Sequence, residues 1–573
     1  MANGNYVSAS IPVPDWKILK GKPYVTVSAK GISNGLSNIP NDGADFGPDT
    51  LLGASSPDQY GPPYTQTSGI QEAINYLSTG GEIHLRAGTY TVNELISVPS
   101  FMTIRGEGRG VTVLNGLNFF QGQQNVEELQ QIEISDMTMQ STGTSSSGGY
   151  FFVISDGNIL DTIILKNLVL LGGGNVGTGP LNIGRFSPSP IEYATVNRIL
   201  LENIYYNTNG TTNGSEAITF PLISGNITMH QVNITNSSGP LLDVLEPQGG
   251  YFRVENCNFG SGNTSYIISI PNTTTQTFYI DATECINPTF TFNNKGYNPA
   301  FVSIHDSIAN ISLLSLISSQ ANAWLQGIII KNIKTMDNWT VSGVGADMID
   351  IDADFPNGWN EGSSAQSLLN LSAPPPSARQ VNININANIG TVSNQEPGQL
   401  IAIPASSSVP SGTVYNINAK GIYPFTQASA GVIIVGSTTY SGLRAFDAAV
   451  NANPNYIVAH IDMIDTTTGT HVRLQPAITL PANPPVSGTV YQNNTGYNIK
   501  IMLPVYATTS GTAGTVAIAL GSTGSPSTIT TIQVAGTTSA SATQLIVLDV
   551  PSAWYYEFTA TGVTFATATV MST

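Results

Sequence analysis

The chain has 573 residues, a length that predicts two or three folding units. Hydrophobic residues make up 41% and charged residues only 10%, so many short strands joined by turns are expected and helix surfaces are not. The net charge of −17, with 19 unclustered Lys and Arg, excludes a nucleic-acid surface, and no apolar run reaches the roughly 20 residues of a membrane span. The opening MANGNYVSASIPVPDWK reads as no secretory leader, so an extracellular protein would arrive there by assembly or release.

Residues 1–40 read as an irregular or strand-like arm. The segment 68–77 predicts a short helix, with Ile70, Ala73, Ile74 and Leu77 on one face, Ser68 as its cap and Gly80-Gly81 as its stop. Alternating strands follow at 82–85, 88–92, 96–98 and 102–106. After residue 114 a phrase recurs: an apolar alternation ends at Asp136, Asn167, Asn203, Gln231, Asn256 or Asn332 and then resumes. These anchors are 31, 36, 28, 25 and 76 residues apart, and the last gap has room for about three coils, with 278–281 as one. Such a period without helical patterning predicts a β-solenoid, and the repeated Asn or Asp suits a sharp left-handed bend between strands. Coils continue through 381–385 and 414–417, with Pro374-Pro375-Pro376 as an interrupting loop. Beyond about residue 440 the repeat stops, and strands at 489–491, 499–503, 515–519, 545–548 and 554–558 predict a separate β-sandwich. The layout is an arm at 1–40, a parallel β-helix at 41–440, a connector at 441–475 and a sandwich at 476–573.

Two stretches resemble known families. Asn41-Asp42-Gly43-Ala44-Asp45-Phe46-Gly47-Pro48-Asp49-Thr50, the short helix and the Gly81-Glu82-Ile83-His84-Leu85…Gly88-Thr89-Tyr90 strand pair are similar to the N-terminal cap of pectate-lyase-like β-helices of viral and phage tailspikes. Phe46 departs from that pattern, standing where the turn usually ends in Gly. The resemblance implies a right-handed parallel β-helix of the pectin-lyase type and says little about chemistry. Pro484-Pro485-Val486-Ser487-Gly488-Thr489-Val490-Tyr491, Leu503-Pro504-Val505-Tyr506 and Val550-Pro551-Ser552-Ala553-Trp554-Tyr555 resemble a module ending structural proteins of archaeal viruses. The whole layout looks like a tail-fibre or tailspike protein of spindle-shaped viruses.

The candidate sites are three. Asp350, Asp352 and Asp354 would share one face of a strand, at a spacing that suits paired carboxylates or a Ca²⁺ ion, against the plain reading of a solvated acidic face. No other cofactor is expected. Trp324, Trp339 and Trp359 surround that segment and are the candidate flat platforms for sugar rings, although burial in a core competes with that role. Asn209, Asn213, Asn226, Asn233, Asn236, Asn263, Asn272, Asn310, Asn338, Asn370 and Asn493 each begin an Asn-X-Ser/Thr sequon and predict glycan decoration. Cys257 and Cys285 lie 28 residues apart and would stack on neighbouring coils, as buried thiols or as a disulfide. The five histidines, joined to no nucleophile motif, read as structural.

These features predict a virion-surface tail fibre or tailspike, a homotrimer contacting other virion proteins, that attaches to host-surface carbohydrate or glycoprotein. Two alternatives keep the same fold: a polysaccharide-degrading glycosidase or lyase with the Asp350 segment as its centre, and an extracellular surface protein of the host itself. No nucleic acid and no membrane span are expected.

Overall fold

The computed structural model describes residues 24–31, 42–57, 59–123, 128–142, 149–153, 159–172, 181–182, 195–207, 218–220, 222–235, 242–245, 250–258, 266–269, 277–286, 288, 290–292, 296–297, 300–308, 314–316, 323–334, 339–355, 367–371, 374–391, 398–428, 431–474, 484–493, 498–536, 544–551 and 553–572. Strand makes up 59% of the described residues and helix 5%, far below the third that ordinary domains carry. The chain divides into two compact units: residues 1–377 with 400–404, and residues 378–399 with 405–573.

The first unit is a parallel β-helix. Its main sheet stacks Tyr24–Val27, Gly81–Leu85, Met102–Gly106, Ile132–Ser141, Ile159–Leu171, Thr195–Asn207, Leu222–Thr235, Gly250–Glu255, Phe278–Thr283, Ala300–His305, Ala323–Lys331 and Val344–Phe355 in that order, each pair parallel. A second parallel sheet of short strands climbs beside it, from Ile96–Val98 and Phe120–Gly122 up to Val341–Ser342 and Ser367–Asn370. Alternate residues of the main sheet point inward and form an apolar column that begins with Val25, Ile83, Ile104 and Ile134 and ends with Ile304, Ile330 and Ile351, all 4% exposed or less. Burying each such side chain contributes about 1.5–3 kcal/mol, which offsets the ordering of the coil that carries it.

The anchor residues lie where the repeat predicts a bend. Asp136, Asn167, Asn203, Gln231, Asn256 and Asn332 all have positive φ between 51° and 60°, and Glu284 and Asp306 complete the column. The 76-residue gap is thus three coils of 28, 22 and 26 residues (256 to 284, 306 and 332). Short amide and carboxylate side chains tolerate this left-handed conformation, and here they also bond along the stack. Asn167 Nδ2 donates to Asp136 Oδ1 (2.9 Å), Asn203 Nδ2 to Asn167 Oδ1 (2.8 Å), and Asn332 Nδ2 to Asp306 Oδ1.

The predicted capping helix spans Ile70–Tyr76, but Ser68 does not cap it. Ser68 itself has φ 55° and its hydroxyl bonds the Thr91 backbone, donating to the carbonyl and accepting from the N–H. The free helix N–H groups are met instead by Thr67 Oγ1, which accepts from Gln71 N (3.0 Å), and Thr65 Oγ1, which accepts from Gly69 N (3.2 Å). The buried Glu72 carboxylate accepts from both threonine hydroxyls and from Gly53 N, so it lies in a dedicated polar nest.

The two cysteines are buried free thiols. They follow the anchors Asn256 and Glu284, where the backbone turns an N–H toward the core. Cys257 Sγ accepts from Val232 N (3.4 Å), and Ser307 Oγ fills the same role one coil further on, accepting from Cys285 N (3.0 Å). Sulfur and hydroxyl at these positions satisfy amides that an aliphatic side chain would leave unpaired. Burial pushes the Cys257 thiol up, so it is held as an unreactive thiol.

In the second unit, Gln380–Ile389, Val414–Tyr423 and Ile457–Asp465 stack in parallel, and His471–Leu474 closes the sheet antiparallel. The coil at 457–465 lies in the stretch that the sequence reading gives to a connector. The helix Ala445–Ala452 interrupts the repeat just before it and hides the period. Outward Asn416 and Asn418 donate to Asn382 and Asn384 at 3.0 and 3.4 Å. The C-terminal part is a β-sandwich of two antiparallel sheets. One holds Val490–Gln492, Tyr555–Thr561, Gly514–Gly521 and Ser527–Val534; the other holds Gln544–Val550, Ile499–Ala507, Val563–Phe565 and Thr569–Ser572. Ile501, Leu503 and Val505 from one sheet share a core with Val516, Ile518 and Phe558 from the other.

Candidate functional site

Two of the three tryptophans expected to contact sugar, Trp324 and Trp339, are buried, at 1% and 0% exposed. Trp324 donates its indole N–H to Asp347 Oδ1 (2.8 Å) and lies flat on Gly345, where a Cβ would come within 2.2 Å of the ring. Trp339 packs against Phe355 with ring centroids 5.5 Å apart. Both fill the β-helix core, because the interior of a coil is where the largest apolar area is removed from water. Trp359 lies outside the described residues.

The exposed aromatics are others. Counting back five residues from the bends at 256, 284 and 306 gives Tyr251, Tyr279 and Phe301, which face each other in strand register on the outer side of the main sheet. Tyr251 and Tyr279 are 37% and 48% exposed. The rings follow one another at 6.5 and 6.2 Å between centroids, the first pair stacked and the second tilted. Phe301 then lies over Gly327, whose missing Cβ leaves room for the ring, and exposed Met348 follows in register. The result is an apolar stripe across five coils, about 19 Å long at the spacing of parallel strands.

A polar edge runs beside the stripe, two and four residues further along the same strands. Tyr251 Oη donates to Asp281 Oδ2 (2.8 Å); burial and this carboxylate push the phenol up to about 12. His305 Nε2 lies 3.2 Å from Asp281 Oδ1 and 2.9 Å from Thr283 Oγ1, and its Nδ1 lies 2.9 Å from Asp306 Oδ2. The His305 ring and the Asn332 amide hold the Asp306 carboxyl below the usual carboxylate range. Arg253 pairs with Glu255 at 3.3 Å, and Lys331 pairs with Asp350 at 2.8 Å. So His305, one of the five scattered histidines, sits in a linked polar cluster on an open face.

Asp350, Asp352 and Asp354 do share one face of Val344–Phe355, alternating with buried Ile349, Ile351, Ala353 and Phe355. They extend the polar edge at the Met348 end of the stripe. The Asp350 carboxylate is turned to Lys331, whose pKa it raises, so a Ca²⁺ ion at this carboxylate would compete with that ammonium. Among the described residues no group of three or more His, Cys, Asp or Glu side chains is placed to hold a metal.

Of the sequons, Asn226 is exposed and stands in register with Tyr251, at the end of the stripe. Asn233 and Asn370 are half-buried. Asn493 is 1% exposed, and its Nδ2 donates to the carbonyls of Val550 and Pro551, each at 3.0 Å, so this amide is a turn-fixing donor with no room for a glycan. Asn209, Asn213, Asn236, Asn263, Asn272, Asn310 and Asn338 lie outside the described residues. A separate open cleft of about 530 Å³ near the start of the β-helix is lined by Glu82, His84, Arg105, Gly106, Glu107 and Asp136, with Arg105 held to Asp136 at 3.0 Å.

The class that fold and face define is a parallel β-helix protein with its candidate site on an open outer face. No protein-family model matches the chain, and no curated protein does. Among solved structures it is similar to the tailspike protein of Acinetobacter phage vB_ApiP_P1, at 11% identity over 87% of this chain and 84% of that one, with a TM-score of 0.22. The fold rests on the strand pairing described above. No helix among the described residues is long and apolar enough to cross a membrane.

Proposed function

We propose that the protein is a viral tail fibre or tailspike, at the virion surface, that attaches to glycans of the host cell surface. The observation that carries this reading is the stripe Tyr251–Tyr279–Phe301 with its polar edge. Aromatic faces stack on the apolar side of a sugar ring while carboxylates, imidazole and hydroxyls at the edge take its hydroxyl groups. Successive coils repeat that pair of features, which suits a polymer lying along the helix. The resemblance of residues 484–491 and 550–555 to the ends of archaeal viral structural proteins favours an archaeal virus. The test is a glycan array followed by titration. Tyr279→Ala is expected to weaken binding of the best ligand at least tenfold, about 1.4 kcal/mol, with the melting temperature unchanged. A Tyr251→Ala, Tyr279→Ala double variant that binds every ligand as the parent does would sink the reading.

We also place the subunit contact of a homotrimer on the C-terminal sandwich. Leu545 and Val547 are 56% and 51% exposed on an edge strand, and they stand opposite Pro504 and Met502 on the neighbouring strand. An apolar face beside a strand edge with no partner strand among the described residues needs cover. The expected mass by light scattering is three times the 60.3 kDa of the chain. Leu545→Glu with Val547→Glu is expected to release monomers; a variant that stays trimeric moves the contact elsewhere.

A further inference from the structure

We infer, resting on the attachment reading above, that the stripe selects uncharged sugar polymers and rejects those carrying carboxylate, sulfate or phosphate. The first reason is the charge of the face. Glu255, Asp281, Asp306, Asp350 and Asp352 border the stripe, against the cations Arg253 and Lys331.

The second is that the basic side chains of this face are engaged. Arg253 is held by Glu255 at 3.3 Å and Lys331 by Asp350 at 2.8 Å, while both His305 nitrogens face carboxylates at 3.2 and 2.9 Å. An anionic sugar needs donors to replace its water, and each one here would first have to leave a partner. A neutral sugar brings its own hydroxyl donors, which carboxylates accept. The third reason lies in the rings. The face of an aromatic ring is the negative end of its quadrupole, so Tyr251, Tyr279 and Phe301 attract C–H groups and repel anions.

The experiment uses the full chain and soluble polymers: neutral glucans, mannans and galactans on one side, polygalacturonate and dextran sulfate on the other, each titrated in 20 and 200 mM NaCl. The expected result is binding of at least one neutral polymer that weakens tenfold or more in Tyr279→Ala and changes less than threefold with salt, with no binding of either polyanion. Asp350→Lys with Asp352→Lys, which reverses the charge beside intact rings, is expected to bring polyanion binding up at least tenfold. Polyanion binding by the parent that Tyr279→Ala abolishes would overturn this inference and leave the attachment reading standing. Absence of Tyr279-dependent binding to any polymer would overturn both.

Discussion

Gly250→Ala is expected to lower the melting temperature several times more than Gly53→Ala, although both place alanine at positive φ, +105° and +76°. At Gly53 nothing lies within 4 Å of the added Cβ, so the cost is the left-handed backbone alone, about 1–2 kcal/mol. At Gly250 the Cβ would stand 2.0 Å from the Gly225 carbonyl oxygen, and a Cβ on Gly225 would stand 1.6 Å from that of Asn197. These are backbone atoms of successive coils, held by parallel pairing that already slips in register between Val196 and Arg198. Neither neighbour can swing aside as a side chain would. The coils must part, losing ladder hydrogen bonds as well as the strain, which puts the cost above about 3 kcal/mol. Thermal unfolding of the two variants side by side is the measurement. Equal shifts would mean that the three backbones do not approach this closely.

Trp339→Ala is expected to cost about 3–5 kcal/mol, the range for emptying the place of a large core aromatic. The ring is fully buried against Phe355, and its Nε1 has no hydrogen-bond partner among the described residues, so packing is its contribution. The folded fraction should bind glycan as the parent does. Tyr279→Ala is the opposite case, with stability kept and binding lost, because its ring is 48% exposed. Calorimetric melting combined with glycan titration of both variants separates the roles. Loss of binding in a Trp339→Ala protein that melts with the parent would show that the indole is a platform after all.

Much of the fold is legible because a β-solenoid is a local repeat. The alternation in Ile132-Glu133-Ile134 or Phe252-Arg253-Val254 states which side chains face the core, and the Asn or Asp after it states where the chain turns. Glu284 escaped that rule because Glu is not a residue that signals a left-handed bend, and with that coil unmarked Asp306 stayed inside the undivided gap between Asn256 and Asn332. Strand Ser527–Val534 escaped for a different reason: nearly all its residues are exposed, so no apolar period marks it. With Glu284 and Asp306 added to them, the anchors find the site. Aligned five residues before each bend, Tyr251, Tyr279 and Phe301 fall in one column, a signal stronger than tryptophan count.

By itself the sequence determined the all-β class, the parallel coils, the bends and the shared face of Asp350, Asp352 and Asp354, because each depends on neighbours within one coil. Only the tertiary structure decided which aromatics meet solvent, since Trp339 is enclosed within the coil and Tyr279 stands on the outer side of its strand. At Gly327 the neighbouring coil offers an empty place for the Phe301 ring, and at Lys331 a cation for Asp350. Both contacts join residues more than 18 positions apart, and strand register alone brings them together.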